Sequence, residues 1–392
     1  MTEPLSIFTG TTRPRRIAIV ASGRFHVLDL GRELAALGHS VRFYSFVPKR
    51  RATGFGLPAE ASRSLLPLTA PFVAWDQLAS GFLPSLREPL VNTALNRAAI
   101  TRMEPCDVVV AMSGLANEAA LYARRKYGAL IFLERGSEHI LIQRERLLAD
   151  GMAGPSDLTV RRELDGYAFA DRIVVPATNV AANFPAELQS RLFINRYGAD
   201  LTMFPQREAP PSGPPTMVFA GGWTRRKGVD LMVPLLERIP ELRLIHCGAV
   251  ADEPLPFHPR FTSIGRVDQR SLGAHYRNAD LLISPSREEG LPLVRIQALA
   301  SGIPIVCSDD TGAQDMAVSP ALAARIDALA IDDLDAMAAA IRRRIAERAT
   351  WMPLPEADRE LLSWTGYGRR YAERIEADLV AREAGLPLPA LR

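Results

Sequence analysis

The run from Ala279 to Asp310 constrains this chain most, because it reads as an apolar segment, a short break, a helix and a second apolar segment. Ala279-Asp280-Leu281-Leu282-Ile283 is short and branched, as expected of a buried parallel strand. Ser284-Pro285-Ser286 ends it, and Glu288-Glu289-Gly290-Leu291-Pro292 follows as a tight acidic loop. Leu293 to Ala300 reads as a short helix ended by Gly302, after which Ile303-Pro304-Ile305-Val306 begins another strand. The pattern is one βαβ unit with its loop at the carboxyl end of a strand, where open α/β sheets place ligands. Gly290 lets backbone N–H groups approach a ligand, and the following helix aims its positive end there, which suits an anion such as a diphosphate. Glu289 is placed to accept hydrogen bonds from hydroxyl groups of the kind a sugar offers. The same residues also read as a helix whose first turn carries favourable acids, and the loop alone leaves both readings open.

The alternation of strand and helix extends along the chain. Arg16 to Val20, Val41 to Ser45, Asp107 to Ala111, Ala129 to Leu133 and Arg172 to Pro176 read as strands, with helices over 27–37, 117–127 and 158–170. Residues 1–15 read as a loose lead-in, and 48–105 as an irregular, Pro-, Leu- and Arg-rich insert with a helix around 86–102. Such an insert suits an acceptor surface or a membrane-edge contact. Lys49-Arg50-Arg51 at its start reads either as a solvated loop or as an anion-binding cluster. After the strand at 129–133, the run Glu134-Arg135-Gly136-Ser137-Glu138-His139 forms a polar constellation of site-like character. The Pro-rich segment 205–215 is the best linker, and alternation resumes at Met217. Gly221 to Gly228 then forms a glycine and cation loop ahead of a helix over 229–238. Strands are expected at 242–248 and 261–265, and a helix at 272–278. Two successive α/β halves make a pair of doubly wound domains.

Composition narrows the function. A chain of 392 residues accommodates two domains, and 47% apolar with 23% charged residues is ordinary for a globular protein. A formal net charge of +3 and scattered basic clusters argue against nucleic acid. Cys106, Cys247 and Cys307 lie far apart, and neither they nor the six histidines show a metal-ligand spacing. The sequence shows neither an early apolar leader nor a run of about 18 apolar residues, so a cytoplasmic protein is expected. Neither half opens with GxGxxG and a following acid, which disfavours NAD.

With the loops 221–228 and 284–306 both in view, the chain resembles the retaining glycosyltransferases of the GT-B type, family four, most strongly from Met217 to Asp315. In that family a strand ends in GR…KG, and a later loop reads E-G-x-x-x-x-x-x-E before a small-residue helix. The second motif is matched here by Glu289-Gly290 through Gln297, followed by Ala298-Leu299-Ala300-Ser301-Gly302. Gln297 stands where the family has its second acid, and Gly222 where it has arginine. An amide can still hydrogen-bond ribose hydroxyls, and Arg225 or Arg226 can supply the cation.

The resemblance implies an α/β architecture of two Rossmann-like domains facing a central cleft. These are an acceptor domain over 1–204, a nucleotide-sugar donor domain over 205–360, and a terminal helix, 361–392, crossing back to the first domain. It implies that Lys227 and a neighbouring arginine neutralise the donor diphosphate, that Glu289 holds donor hydroxyls, and that Gly290, Leu291, Pro292, Leu293 and Val294 meet sugar and phosphate through their backbone. Gly265-Arg266-Val267 resembles the segment contacting the base, and Gly23 would face the diphosphate. Relatives place His directly after the strand matching 129–133; here Glu134-Arg135 occupy that place, so His139 and Glu134 are candidates for the reacting region and Arg135 and Ser137 for the acceptor side. No metal or other cofactor is expected. The partners implied are a nucleotide-sugar and a glycan, lipid-linked saccharide or small acceptor, with peripheral contact at the inner membrane face. Two alternatives stand beside transfer: a degenerate sugar-nucleotide-binding subunit, for which Gln297 and Gly222 would be the marks, and a nucleotide-sugar 2-epimerase.

Overall fold

The computed structural model describes residues 13–78 and 84–389. Its framework is two parallel sheets. The first is formed by β1 (Arg16–Val20), β2 (Ser40–Ser45), β3 (Ser62–Ser64), β4 (Val108–Met112), β5 (Leu130–Glu134), β6 (Arg172–Val175) and β7 (Leu192–Ile194), in the order β3-β2-β1-β4-β5-β6-β7. The second is formed by β8 (Thr216–Ala220), β9 (Arg243–Cys247), β10 (Phe261–Ser263), β11 (Leu281–Ser284), β12 (Ile305–Ser308) and β13 (Ile326–Leu329), in the order β10-β9-β8-β11-β12-β13. Central strands such as β4 and β11 are apolar along their length because helices cover both faces of a parallel sheet. In the second sheet the strand order reverses between β8 and β11, where Met217 pairs with Leu281 and Val218 with Leu282. A reversal of this kind opens a crevice at the carboxyl ends of the two strands. Both loops singled out in the sequence begin there.

By internal contacts the described chain divides into two compact units, one comprising residues up to 133 with 168–172 and 368 onwards, the other comprising 134–167 and 173–367. In the first unit β1, β2 and β4 are held in register by Ile17 opposite Val41 and Val108. The guanidinium of Arg172 is fully buried and meets Asp378 through two hydrogen bonds, Nε to Oδ2 at 2.7 Å and Nη2 to Oδ1 at 2.8 Å. Asp378 lies on the terminal helix Trp364–Glu383, as does Glu376, which accepts from Arg15 at 2.8 and 2.9 Å. The loose lead-in expected at the amino terminus lies outside the described residues as far as Thr12, whereas Arg15 is buried and ion-paired.

The segment 48–105 is more regular than its sequence suggests. It holds helices over Lys49–Gly54, Leu66–Leu78 and Pro84–Arg102 as well as β3. Pro71 and Pro89 lie inside the last two helices, and apolar residues occur all round the helix Leu66–Leu78, so neither the breaker rule nor a one-sided stripe marks them. Among the described residues no helix is long and apolar enough to cross a membrane.

The core of the second unit joins Phe219, Trp223, Leu235, Leu244, Ile283 and Val306 with Met337 and Ile341 of the helix Leu334–Ala346. The Pro-rich segment 205–215 is fastened to this unit. Arg207 is buried, and Arg348 donates to the carbonyls of Pro211 and Gly213 at 2.6 and 3.0 Å.

Candidate active site

The site grows from the ends of β8 and β11. After Ala220 the chain passes Gly221 and Gly222 to Trp223, which is 1% exposed and packs edge-on against Phe219 with centroids 5.6 Å apart. Its indole Nε1 donates to Pro254 O at 3.1 Å, so the large ring is both buried and satisfied. Anchored by this ring, Arg225–Lys227 forms a single tight turn that ends at Gly228 with φ +73°. A Cβ at Gly228 would stand 2.1 Å from the Pro285 carbonyl oxygen, which belongs to the loop after β11. Only glycine allows the basic and acidic loops to approach this closely. Arg287 ties them further, donating from its backbone N–H to Arg226 O at 2.8 Å, from its side chain to Arg225 O at 2.7 Å, and forming a two-pronged pair with Asp230.

This scaffold aims two cations at the acidic loop. Arg226 Nη1 lies 3.0 Å from Glu289 Oε1, and Lys227 Nζ contacts the same oxygen. Arg226 also donates to the Glu288 carbonyl at 2.8 Å and to its carboxylate at 3.2 Å. Burial alone would raise the Glu289 carboxyl, but Lys227 and Arg226 outweigh it and hold the group below the ordinary carboxylate value. Glu289 is therefore an anion at neutral pH, held by two cations.

The strand β5 delivers the other wall. Glu134, its last residue, is 1% exposed. Arg135 follows and is buried, with Nη1 3.0 Å from Glu163, Nη2 2.7 Å from Gln143 Oε1 and Nε 2.8 Å from Glu138 O. Gln143 passes the network on, donating to Ser137 Oγ at 3.1 Å and to Glu288 at 3.3 Å. Ser137 itself donates to Glu288. A continuous polar chain thus runs from Glu163 through Arg135, Gln143, Ser137 and Glu288 to Arg226 and Glu289. At Gly290 a Cβ would be 2.3 Å from the Gly136 carbonyl oxygen, so the two walls touch through paired glycines.

The remaining expected residues are distributed around this centre. Leu291 and Pro292 are buried and Leu293 and Val294 half-buried, at the start of the helix Leu293–Ala300. Gln297 is 7% exposed on the same helix. Arg225 is exposed at the tip of the basic turn, and its backbone N–H donates to Asp252 at 3.2 Å. Gly265, with φ +75°, accepts from Gly248 N–H at 2.9 Å, and a Cβ on Gly248 would overlap the Gly221 carbonyl. Gly265, the exposed Arg266 and Val267 therefore flank the basic loop across β9. Gly23 belongs to the first unit, in the turn after β1. The His139 ring packs 5.2 Å from Tyr167 and edge-on to Phe184 at 5.0 Å, and burial together with Arg135 pushes its imidazole pKa down. Its ring thus sits in an aromatic cluster beneath the loop.

Two charged residues to which the sequence assigned no individual role, Arg295 and Glu138, are buried at the site. Arg295 is fully buried under the acidic loop, donating to Ser284 O at 2.8 Å, Ser284 Oγ at 3.0 Å and Thr311 O at 2.9 Å. A cation inside the apolar run LVRIQALA was its signal. Glu138 is fully buried, 3.2 Å from Arg146 Nε; burial, opposed by Arg146 and reinforced by Glu288 and Asp310, lifts its carboxyl to about 7. Among the described residues no group of three or more His, Cys, Asp or Glu side chains is arranged to hold a metal ion.

Comparison with known proteins finds similar sequences and similar folds. Residues 214–347 match the family "Glycosyl transferases group 1". Over 193 residues the chain is 28% identical to the GDP-mannose-dependent alpha-mannosyltransferase of Mycolicibacterium smegmatis, covering 46% of this chain and half of that protein. It is 24% identical to the D-inositol 3-phosphate glycosyltransferase of Nocardiopsis dassonvillei over 94% of this chain and 91% of that one. In fold it is similar to sucrose-phosphate synthase from Thermosynechococcus elongatus, with TM-score 0.67 and 18% identity over 95% of this chain and 99% of that one. It is also similar to Anabaena HepE in complex with UDP and glucose, with TM-score 0.64 and 12% identity over 92% of this chain and 99% of that one. The chain has the GT-B fold of these glycosyltransferases, and its residues 214–347 match glycosyl transferases group 1.

Proposed function

We propose that the chain moves a sugar from a nucleoside-diphosphate donor to a glycan, lipid-linked saccharide or small acceptor, with retention of anomeric configuration and without a metal ion. The observation that carries this reading is the convergence of Arg226 and Lys227 on Glu289 at the strand-order reversal. As the glycosyl bond breaks, negative charge gathers on the departing diphosphate, and two preorganised cations stabilise it. Glu289, ionised and fixed by the same cations, accepts hydrogen bonds from donor hydroxyls. The backbone from Gly290 to Val294 carries sugar and phosphate at the start of the helix. Because the leaving phosphate oxygen is itself basic, it takes the acceptor's proton, and no side-chain base is required. His139 serves this region by anchoring the loop that carries Ser137 against Tyr167 and Phe184.

Relatives whose names carry GDP-mannose or whose structures carry UDP make GDP and UDP the first nucleotides to test. Thermal stabilisation by one nucleoside diphosphate in the presence of chelator identifies the base, since a ligand bound to the folded state raises the melting temperature by mass action. Transfer from the corresponding sugar donor, followed by proton NMR of the product's anomeric centre, then decides the stereochemistry. Inversion at that carbon, or a strict requirement for a divalent ion, would sink the proposal.

A further inference from the structure

At the amino-terminal ends of β11, β12 and β13, the end of the second sheet opposite the active-site loops, lies a cavity of about 350 Å³. Arg207, Arg325, Arg344 and Arg348 line it with Asp280 and Trp351. Two of these arginines are matched by carboxylates. Arg344 Nε lies 2.6 Å from Asp327, and Arg348 Nε lies 3.1 Å from Asp280. The other two donate to neutral carbonyls: Arg207 Nη1 to Ala279 O at 2.9 Å, and Arg325 Nη1 to Gly302 O at 2.6 Å, with Arg325 Nη2 donating to Met352 O. Both guanidinium groups stand over the Trp351 ring, 4.5 and 6.0 Å from its centroid.

Arg207 is 5% exposed, and its Nε is buried without a hydrogen-bond partner among the described residues. A buried guanidinium with an unused donor is costly, and the one carboxylate that attracts it, Asp280, is already paired with Arg348, so a further anion would complete it. The cost registers in its pKa, which burial pushes down to about 10, with Asp280 opposing the effect and Arg325 and Arg348 adding to it. Two guanidinium forks, each able to take two oxygens, suit a group with three acceptor oxygens better than a single carboxylate. The cavity is larger than inorganic phosphate needs, and it adds an aromatic wall and the Asp280 carboxylate, which accepts hydroxyl hydrogens.

We propose that this cavity is a second ligand site, separate from the donor site, for a small phosphorylated polyol, with Arg207 and Arg325 holding the phosphoryl group and Trp351 covering the carbon skeleton. The arginines grip Ala279, which leads into β11, and Gly302, which ends the helix Leu293–Ala300, so the ligand binds against the two elements that carry the acidic loop.

Calorimetric titration of the full chain with glycerol 3-phosphate at constant ionic strength tests this. Saturable binding is expected, weakened at least about tenfold by Arg325→Gln and by Arg207→Gln through loss of charged hydrogen bonds. Lys227→Ala, which alters the donor site, should change it less than about twofold. Binding abolished by Lys227→Ala and untouched by Arg325→Gln would assign the anion to the donor site and overturn the proposal. So would the lack of saturable binding by the intact chain up to about 10 mM. Where Arg207→Gln impairs folding, the half-buried Arg325 keeps the test usable, and tryptophan emission gives a second reading. An anion-dependent emission change should disappear in Trp351→Phe, and its persistence there would also overturn the assignment.

Discussion

Gly290 and Gly136 meet so closely that a Cβ on the former would lie 2.3 Å from the carbonyl oxygen of the latter. The contact presses the Ser137 loop onto the acidic loop and sets the spacing within which Ser137 reaches Glu288. A methyl group at Gly290 must push backbone apart, since the obstructing atom belongs to no flexible side chain. Gly290→Ala should therefore cost about 1–3 kcal/mol of stability, the range for overpacking a tight site. It should also lower kcat more than a stability loss alone explains, because displaced donors stabilise the transition state poorly. Comparing melting temperature with turnover on folded protein separates the two effects, and wild-type turnover would show that the spacing is irrelevant.

Lys227 and Glu289 form the centre of the charged cluster, and their replacement should separate binding from chemistry. Lys227→Ala removes a cation from the diphosphate position and should weaken nucleoside diphosphate affinity by about tenfold, the worth of one charge-assisted contact. Glu289→Ala should reduce transfer by about a hundredfold or more while the protein remains folded. Calorimetric titration and initial rates check both. Unchanged nucleotide affinity in Lys227→Ala would reduce the basic turn to a solvated surface.

These residues were legible in the sequence because their chemistry is local. Gly228, Glu289 and Gly290 sit in short loops whose glycines and charges are visible in a window of a few residues. The partners that fix them are distant in the chain: Ser137 is 151 residues from Glu288, and Arg172 is 206 from Asp378. Parallel sheets create such contacts by crossover, and no local pattern announces them. The strands β3, β7 and β13 escaped notice for a different reason. At three or four residues each, and partly exposed, they lack the long apolar run that marks a central strand. The helix Leu66–Leu78 was hidden by its internal proline and by apolar residues around its whole circumference.

Arg172 and Asp378 make a prediction that concerns folding alone. The pair is fully buried and doubly hydrogen-bonded, so deleting one partner strands an opposite charge in the interior. Asp378→Ala should destabilise the protein by about 3–5 kcal/mol. Replacing both residues with apolar side chains, as Arg172→Met with Asp378→Leu, should recover much of that loss. Chemical denaturation of the single and double variants measures the difference, and a double variant no better than the single one would show that the pair contributes net stability.

Glu138 supplies a pH dependence whose sign is fixed by the direction of its shift. Its carboxyl is raised from 4.5 to about 7, so the folded state favours the protonated form. The stabilisation this gives is present below the unfolded value and is lost as pH rises through about 7. Glu138→Gln retains a neutral side chain of the same shape and should lack this loss. The stability difference between variant and wild type should therefore shift in the variant's favour between pH 4.5 and 8, by at most about 3 kcal/mol. Melting temperatures across that range test it, and parallel profiles would show that Arg146 keeps Glu138 ionised throughout.

Gln297 offers a reversal. It occupies, on the helix Leu293–Ala300, the position where the resembling family has its second acid, and it is nearly buried at 7% exposure. An amide shares hydrogen bonds with ribose hydroxyls but carries no charge, whereas a carboxylate accepts two strong ones. The fully buried Arg295, two residues away on the same helix, adds positive potential that would lessen the cost of a new carboxylate. Gln297→Glu should therefore keep the fold and maintain or raise donor affinity, by up to about tenfold where both ribose hydroxyls gain a charged partner. Donor KM and nucleotide affinity provide the measurement. A loss of affinity beyond about tenfold would mean that this pocket is built around a neutral side chain and that the ribose is held elsewhere.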